Sequence, residues 1–163
     1  MTLNTAVMFG KASDEWSTPQ EFFDVLAREF EPTLDAAASS ANTKCEHFYS
    51  LGIDALGEDW SAADVFGMRP VVWLNPPYSR CREFIAKAAQ EARKGCTVVA
   101  LVPSRTDTRW WHEHVWDASA NACRPGVEIR FIKGRLKFGE GKNSAPFPSV
   151  VVIFRPVDAV GKR

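Results

Sequence analysis

The chain has 163 residues, which is the length of a single domain able to bury a core without disulfides or metal ions. Its 45% hydrophobic and 25% charged content is ordinary for a globular protein, and 20 basic residues balance 20 acidic residues. The balance excludes a polyanionic partner held by overall charge, so any nucleic acid would have to bind at a local basic patch.

The cysteines and the apolar runs bear on the cellular compartment. The four cysteines form no C-x-x-C pair and have no nearby set of histidine ligands: Cys45, Cys81, Cys96 and Cys123. They are therefore predicted to be reduced packing residues, and no metal site is expected. The chain begins without a basic-then-apolar signal, and no apolar run approaches the roughly 20 residues of a membrane span. A cytoplasmic protein without a membrane partner is the expectation.

Three regions are predicted along the chain. Residues 1–14 lack periodicity and are expected to be a loose arm. A single domain is expected to span residues 15–156, because no internal repeat and no linker of domain scale interrupts it. Residues 157–163 are expected to form a C-terminal tail.

The first element predicted inside the domain is a helix in "STPQEFFDVLAREF". Thr18 can cap this helix, Pro19 suits its first position, and Glu21 occupies the acid position of a capping box. Apolar side chains then recur at helical spacing. The following "PTLDAAA" at 32–38 predicts a short strand, and the polar, glycine-broken stretch 39–69 predicts loops with short elements.

The middle of the chain predicts a parallel strand, helix and strand. "VVWL" at 71–74 is typical of a strand buried on both faces. "RCREFIAKAAQEARKG" at 80–95 predicts a helix with one apolar face and Gly95 as its C-cap. "TVVALVPS" at 97–104 predicts a second buried strand. Such a crossover is almost always right-handed, and its two strands are parallel.

The last third of the chain predicts one more helix and an antiparallel edge. The helix is expected in "TDTRWWHEHVWDASA" at 106–120, with Trp110 and Trp111 in the core rather than stacked on bases. "VEIRFI", "RLKF" and "SVVVIF" are predicted strands, and the short turns among them favour antiparallel pairing. The predicted fold class is α/β, with a mostly parallel sheet, helices on both faces and an antiparallel C-terminal edge.

The tetrapeptide "NPPY" at 75–78 follows the first buried strand. A strand ending in a proline turn is the simplest interpretation, since proline restricts both itself and the preceding residue. In open α/β sheets, however, ligands bind outside the carboxyl ends of the strands, where Asn75 is expected. The amide oxygen of Asn75 and the carbonyl oxygen of Pro76 are neighbouring acceptors that suit a substrate –NH₂ group, and Tyr78 offers an aromatic face. Accepting both hydrogens leaves the lone pair of the substrate nitrogen available for attack on an electrophile.

Motifs along nearly the whole chain carry a family resemblance. In order they are "DEWSTPQEFFDVL", "LDAAAS", "DAL", "NPPYS", "VVALVPSRTDT", "IRFIKGRLKF" and "APFPSVVVIF". "NPPY" resembles motif IV of the S-adenosylmethionine-dependent amino-methyltransferases, and the ordered set resembles the phage-type DNA N6-adenine methyltransferase (Dam-like) family. The resemblance implies a Rossmann-like methyltransferase fold with S-adenosylmethionine bound beside the NPPY loop. It also implies double-stranded DNA as the partner, with the target adenine flipped out of the duplex.

The same resemblance implies roles for individual residues. The catalytic motif matches Asn75, Pro76, Pro77 and Tyr78. Cofactor-binding positions match Thr18, Pro19, Asp35, Ala36 and Asp54. Within that set, Asp35 is the acid expected to meet the amino group of the cofactor, and Asp54 is the acid expected near its adenine. The chain departs from the general methyltransferase pattern at "DAAASSAN", where a glycine-rich G-x-G turn is usual.

Basic residues near the predicted site are candidates for contacts with DNA phosphates. Arg105 and Arg109 follow the second buried strand, and a solvated helix start is the equally weighted alternative. The basic C-terminal residues are Lys133, Arg135, Lys137 and Lys142. Their alternative interpretation is the polar face of a hairpin. "GEGKNSAPFPS" at 139–149 is too long for a tight turn, so a functional loop is predicted there.

The sequence is also compatible with two other functions. Protein glutamine-N5 methyltransferases also use NPPY, but they usually keep the glycine-rich turn and an additional N-terminal helical domain. A catalytically decayed nucleic-acid-binding or scaffold protein on the same fold is the alternative from another class. The altered glycine turn allows that alternative, and the intact NPPY disfavours it.

Overall fold

The computed structural model of the chain describes residues 17–50, 53–63, 67–138 and 144–157. The predicted arm at 1–14, residues 158–163 of the predicted tail, and Lys142 lie outside the described residues. The helices are α1 (Gln20–Phe30), α2 (Cys81–Arg93) and α3 (Arg109–His114). The strands are β1 (Leu34–Ala38), β2 (His47–Ser50), β3 (Val71–Leu74), β4 (Thr97–Pro103), β5 (Trp116–Asp117), β6 (Ala122–Cys123), β7 (Val127–Phe131) and β8 (Ser149–Phe154). Within these ranges no helix is long and apolar enough to cross a membrane.

The main sheet has six strands in the order β2-β1-β3-β4-β8-β7. The first four strands are parallel, whereas β8 runs antiparallel to both of its neighbours. The α/β prediction with an antiparallel C-terminal edge is therefore confirmed. Because β8 reverses the direction, β7 again points the same way as β4. The carboxyl ends of β1, β3, β4 and β7 consequently lie at one edge of the sheet, here called the carboxyl edge.

Alternating side chains of the central strands build a core on each face of the sheet. Val72 and Val98 belong to the cluster beneath α2 and α3. Trp73 and Val99 belong to the cluster beneath α1. The continuous apolar runs in β3, β4 and β8 are explained by burial on both faces. Helices on both faces are thus observed, as predicted.

The start of α1 differs from its prediction. The helix begins at Gln20, and Pro19 precedes it as the N-cap in an extended conformation, with no side-chain capping hydrogen bond. Thr18 therefore does not cap the helix, and the expected capping box with Glu21 is not formed. Instead, the Thr18 hydroxyl oxygen accepts a hydrogen bond from Asn75, 57 residues further along the chain. A tertiary contact has replaced the local one.

Two other elements near the C-terminus also differ from prediction. The helix predicted over 106–120 ends at His114, and the chain continues into the short hairpin of β5 and β6. The Asp117 carboxylate accepts backbone N–H groups of Ser119 and Ala120 at 2.9 and 3.2 Å, a turn that competes with helix continuation. The predicted strand "RLKF" is not part of the sheet, because the chain turns at Gly134 with a φ of 77°.

Candidate active site

A polar cleft of about 20 Å³ lies near the carboxyl edge, on the α1 side of the sheet. Its lining comes from the segment before α1, from β1 and the loop after it, and from β3 and the residue after it: Ser17, Thr18, Asp35, Ala37, Asn42, Lys44, Trp73 and Asn75. The strand register explains the convergence. Asp35 pairs with Trp73, and Asn75 follows two residues later, directly after β3. A cleft of this size holds one small polar group.

The side-chain amide of Asn75 is oriented by Thr18. The Asn75 Nδ2 donates a hydrogen bond of 3.1 Å to Thr18 Oγ1, and Thr18 is only 5% exposed. Because Nδ2 is the end of the amide that faces Thr18, the Asn75 carbonyl oxygen faces a different direction. This carbonyl oxygen is the hydrogen-bond acceptor that the sequence predicts for a substrate –NH₂ group.

Asp35 is a buried residue of β1. Its side chain is 2% exposed and accepts backbone N–H groups of Lys44 at 2.9 Å and Ala37 at 3.3 Å. Burial raises the pKa of Asp35 to about 6, and these two hydrogen bonds oppose the rise. The group is therefore mostly ionised at neutral pH while it remains shielded from water.

This pKa predicts a pH dependence of stability. Asp35 has its ordinary pKa of 3.8 in the unfolded chain and about 6 in the folded protein. Between those values the folded state keeps a proton that the unfolded state has released. Raising the pH from about 4 to about 6 is therefore expected to lower the free energy of unfolding through this group, with no further change above that range.

Denaturant unfolding of the wild type and of Asp35→Asn between pH 4 and pH 7 checks the expectation. Asparagine matches aspartate in size but does not titrate, so the difference between the two curves isolates Asp35. Parallel curves for the two proteins would contradict the assigned pKa.

The remaining residues of NPPY lie between β3 and α2. Pro76 is buried, and Pro77 precedes a 3₁₀ turn at Tyr78–Arg80 that continues directly into α2. The half-buried ring of Tyr78 packs edge to face against Phe147, with ring centroids 4.7 Å apart and planes at 83°. Burial raises the pKa of Tyr78 well above its ordinary value, so the ring stays neutral.

Three of the predicted cofactor residues are not among the residues that line the cleft: Pro19, Ala36 and Asp54. Ala36 is fully buried in the core on the opposite face of the sheet, because side chains alternate along β1, and Ala37 lines the cleft instead. Asp54 lies on an exposed turn after β2 and is not part of the cleft lining. That turn is anchored by the buried Trp60, whose indole N–H donates to the Ala55 carbonyl at 2.8 Å.

Exposed cations follow β4 and β7 at the carboxyl edge. Arg105 comes directly after β4, and Arg109 opens α3 with a side chain that is 77% exposed. Lys133, Arg135 and Lys137 are exposed in the basic segment, residues 133–137, which follows β7. The carboxyl edge therefore carries local positive charge on a chain whose formal net charge is zero.

Five residues of the cleft were not predicted from the sequence: Ser17, Ala37, Asn42, Lys44 and Trp73. Asn42 and Lys44 come from "SSANTK", the polar loop at the carboxyl end of β1, which is the place where polar side chains are informative. The Asn42 Oδ1 accepts the Ser39 N–H at 2.7 Å, and the Lys44 Nζ donates to Gln20 Oε1 at 2.8 Å. Over the described ranges, no group of three or more His, Cys, Asp or Glu side chains could hold a metal ion.

Comparison with known protein families matches residues 6–161 to the DNA N-6-adenine-methyltransferase (Dam) family. The chain belongs to this family. The predicted family is thereby confirmed. The Dam family match covers all the elements of the main sheet and both sides of the polar cleft.

Two phage relatives agree with the Dam assignment. The DNA N-6-adenine-methyltransferase of Escherichia phage T1 is 33% identical over 158 residues, covering 87% of this chain and 63% of the relative. The DNA N-6-adenine-methyltransferase of Haemophilus phage HP1 (strain HP1c1) is 29% identical over 146 residues, covering 88% of this chain and 79% of the relative. The chain thus spans less than two thirds of the length of the phage T1 protein.

Proposed function

We propose that this Dam-family protein transfers a methyl group from S-adenosylmethionine to adenine N6 in double-stranded DNA. The domain would be residues 15–156 on a Rossmann-like methyltransferase fold. The observation that carries the proposal is Asn75 at the carboxyl edge, with its amide oriented by Thr18 and the buried Asp35 carboxyl group in the same cleft. This arrangement combines an oriented acceptor for the substrate with an anion for a cationic cofactor.

On the substrate side, two carbonyl oxygens would hold the amino group of the target adenine. The Asn75 amide and the Pro76 backbone carbonyl each accept one hydrogen, which aims the lone pair of the nitrogen. Positive charge grows on this nitrogen as the methyl group is transferred, and the same acceptors stabilise it. The ring of Tyr78 would stack on the adenine. Base pairing hides N6 in duplex DNA, so the adenine must leave the helix to reach this site.

On the cofactor side, the cleft offers the Asp35 carboxylate to a small cation, while the Lys44 ammonium in the same lining is bonded to Gln20. When bound, S-adenosylmethionine supplies an electrophilic methyl group and carries an ammonium group at its amino-acid end. The Asp35 carboxylate is the buried anion that would hold the ammonium, with the Thr18 and Asn42 side chains nearby. Asp54 lies on the turn after the neighbouring strand β2 and would serve the adenine end. Ala37, rather than Ala36, provides the alanine of the cleft.

The exposed cations would bind DNA phosphates. Reversing the charge at Lys133, Arg135 and Lys137 is expected to weaken DNA binding and to flatten its dependence on salt. Each lost phosphate contact should reduce the slope of log K against log salt by about 0.9. Fluorescence anisotropy of a labelled duplex at several salt concentrations measures that slope.

Matched controls are available at the opposite edge of the sheet. Arg28→Glu and Arg93→Glu reverse exposed charges in the last turns of α1 and α2, and the change in DNA affinity should be much smaller. An unchanged slope in the triple variant would identify the basic segment as a solvated surface.

Product analysis tests the proposed activity directly. The protein is incubated with isotope-labelled S-adenosylmethionine and unmethylated duplex DNA, and the nucleosides are analysed by mass spectrometry. The expected result is N6-methyladenine in the wild type and its much slower formation in Asn75→Ala. A label found only in glutamine of added protein would favour a glutamine-N5 methyltransferase. Cofactor binding without transfer to any substrate would favour the decayed-enzyme alternative.

A further inference from the structure

The segment of residues 144–148 is tied to two separate parts of the carboxyl edge. The Ala145 N–H donates to the Leu136 carbonyl at 2.8 Å, and Arg135 Nη1 donates to the Ala145 carbonyl at 3.3 Å. At its other end, the Pro148 carbonyl accepts the Ser104 N–H at 2.9 Å. Ala145 is only 1% exposed. The segment is therefore fixed between the basic segment and the end of β4.

Phe147 joins this fixed segment to the catalytic motif. Its ring is partly buried against the apolar cluster on the α1 side of the sheet, and it meets Tyr78 at a centroid distance of 4.7 Å and an angle of 83°. Edge-to-face contacts of this kind depend on the charge distribution of both rings, so they favour one relative orientation. An aliphatic side chain in the same place would fill the volume without fixing the angle.

We propose that Phe147 is a positioning residue that sets the plane of the Tyr78 ring for stacking on the target adenine. The inference rests on the proposed function, because Tyr78 is the stacking residue of that proposal. Tyr78 lies in a single 3₁₀ turn between β3 and α2, whereas Phe147 comes from a segment held at both ends. The tyrosine ring is consequently held by a part of the chain that is also bonded to the basic segment. The residues that contact phosphates and the ring that stacks on the base would thereby be held by the same segment, residues 144–148.

Two substitutions separate positioning from simple packing. Phe147→Leu keeps an apolar side chain of similar size but removes the ring, and Phe147→Tyr keeps the ring. Loss of orientation in Phe147→Leu is expected to slow single-turnover methylation of duplex DNA about tenfold or more, with cofactor affinity unchanged. Phe147→Tyr should stay close to the wild type. If Phe147 served only to fill space, Phe147→Leu would also retain full activity.

Phe30→Leu is the matched control. Phe30 is the last residue of α1, packs partly buried against the same apolar cluster, and lies beneath the guanidinium groups of Arg130 and Arg155. Its replacement should lower the melting temperature without changing the rate of methyl transfer. Equal loss of rate in Phe30→Leu and Phe147→Leu would overturn the positioning role.

A second readout does not require activity. The chain has two tyrosines, so fluorotyrosine labelling gives separate NMR signals for Tyr49 and Tyr78. Phe147→Leu should shift the Tyr78 signal and leave that of Tyr49 in place. An unmoved Tyr78 signal, or wild-type turnover in Phe147→Leu, overturns the inference while the proposed function stands. A wild type that methylates no DNA refutes the proposed function, and the stacking role of Phe147 falls with it.

Discussion

Replacing Asn75 with alanine is expected to slow methyl transfer by roughly 10²-fold or more, by analogy with the loss of one oxyanion-hole donor. The variant keeps the Pro76 carbonyl but loses the side-chain acceptor that Thr18 orients. One hydrogen of the adenine amino group is then unpaired, and its nitrogen is poorly aimed as charge develops. Single-turnover methylation of an adenine-containing duplex measures the effect.

Controls for Asn75→Ala distinguish chemistry from folding. Cofactor affinity should stay close to that of the wild type, because the proposed role of the lost acceptor is to bind the substrate. The melting temperature should fall only slightly, since one hydrogen bond contributes about 1 kcal/mol. Asn75→Asp retains an acceptor of the same size, to which the Thr18 hydroxyl can donate, so it should keep more activity than alanine. Near-normal turnover in a folded Asn75→Ala protein would refute the proposed role.

Replacing Asp35 with asparagine is expected to weaken S-adenosylmethionine binding by about 30-fold or more, which corresponds to about 2 kcal/mol. Asparagine removes the buried anion, so the ammonium of the cofactor would lose its proposed partner. In the wild type, affinity should also increase as the pH rises through about 6, where Asp35 ionises. Isothermal titration calorimetry over pH 5–8 measures both effects.

The Asp54→Asn variant is the companion to Asp35→Asn. Asp54 is exposed on its turn, so a contact there is screened by water and its loss should cost less affinity. Asp54→Asn should also leave the pH dependence near 6 intact. An unchanged dissociation constant in Asp35→Asn would remove this carboxyl group from the cofactor site.

The parts of the fold that were predicted correctly are those fixed by local pattern. β3 and β4 are continuous apolar runs, α2 has an apolar face, and the family motif places Asn75 at the end of β3. Each of these signals lies within about one element's length of sequence. They were sufficient for the fold class and for the place where NPPY lies in it.

The errors arose where distant residues decide the structure. Threonine is a common helix cap, so Thr18 was predicted to cap α1. Its actual contact is with Asn75, which comes close only after the sheet has formed. The helix predicted at 106–120 ends at His114, and the following Val115 carbonyl accepts the Arg124 N–H at 2.9 Å across the hairpin of β5 and β6, a pairing that apolar spacing does not reveal. The error at Ala36 was avoidable from the sequence. Side chains alternate along a strand that reaches Ala38, so Ala36 and Asp35 must lie on opposite faces of the sheet.

The reversed strand β8 has a consequence for how the chain folds as it is synthesised. β4 lies between β3 and β8, and more than 40 residues separate β4 from its partner β8. Until β8 emerges from the ribosome, β4 presents an unpaired, strongly apolar edge that could pair with another chain. Pairing β8 with β4 over such a sequence distance is also slow compared with forming α2, which connects β3 to β4. Protection of β4 from aggregation therefore depends on the last strand of the sheet to be made.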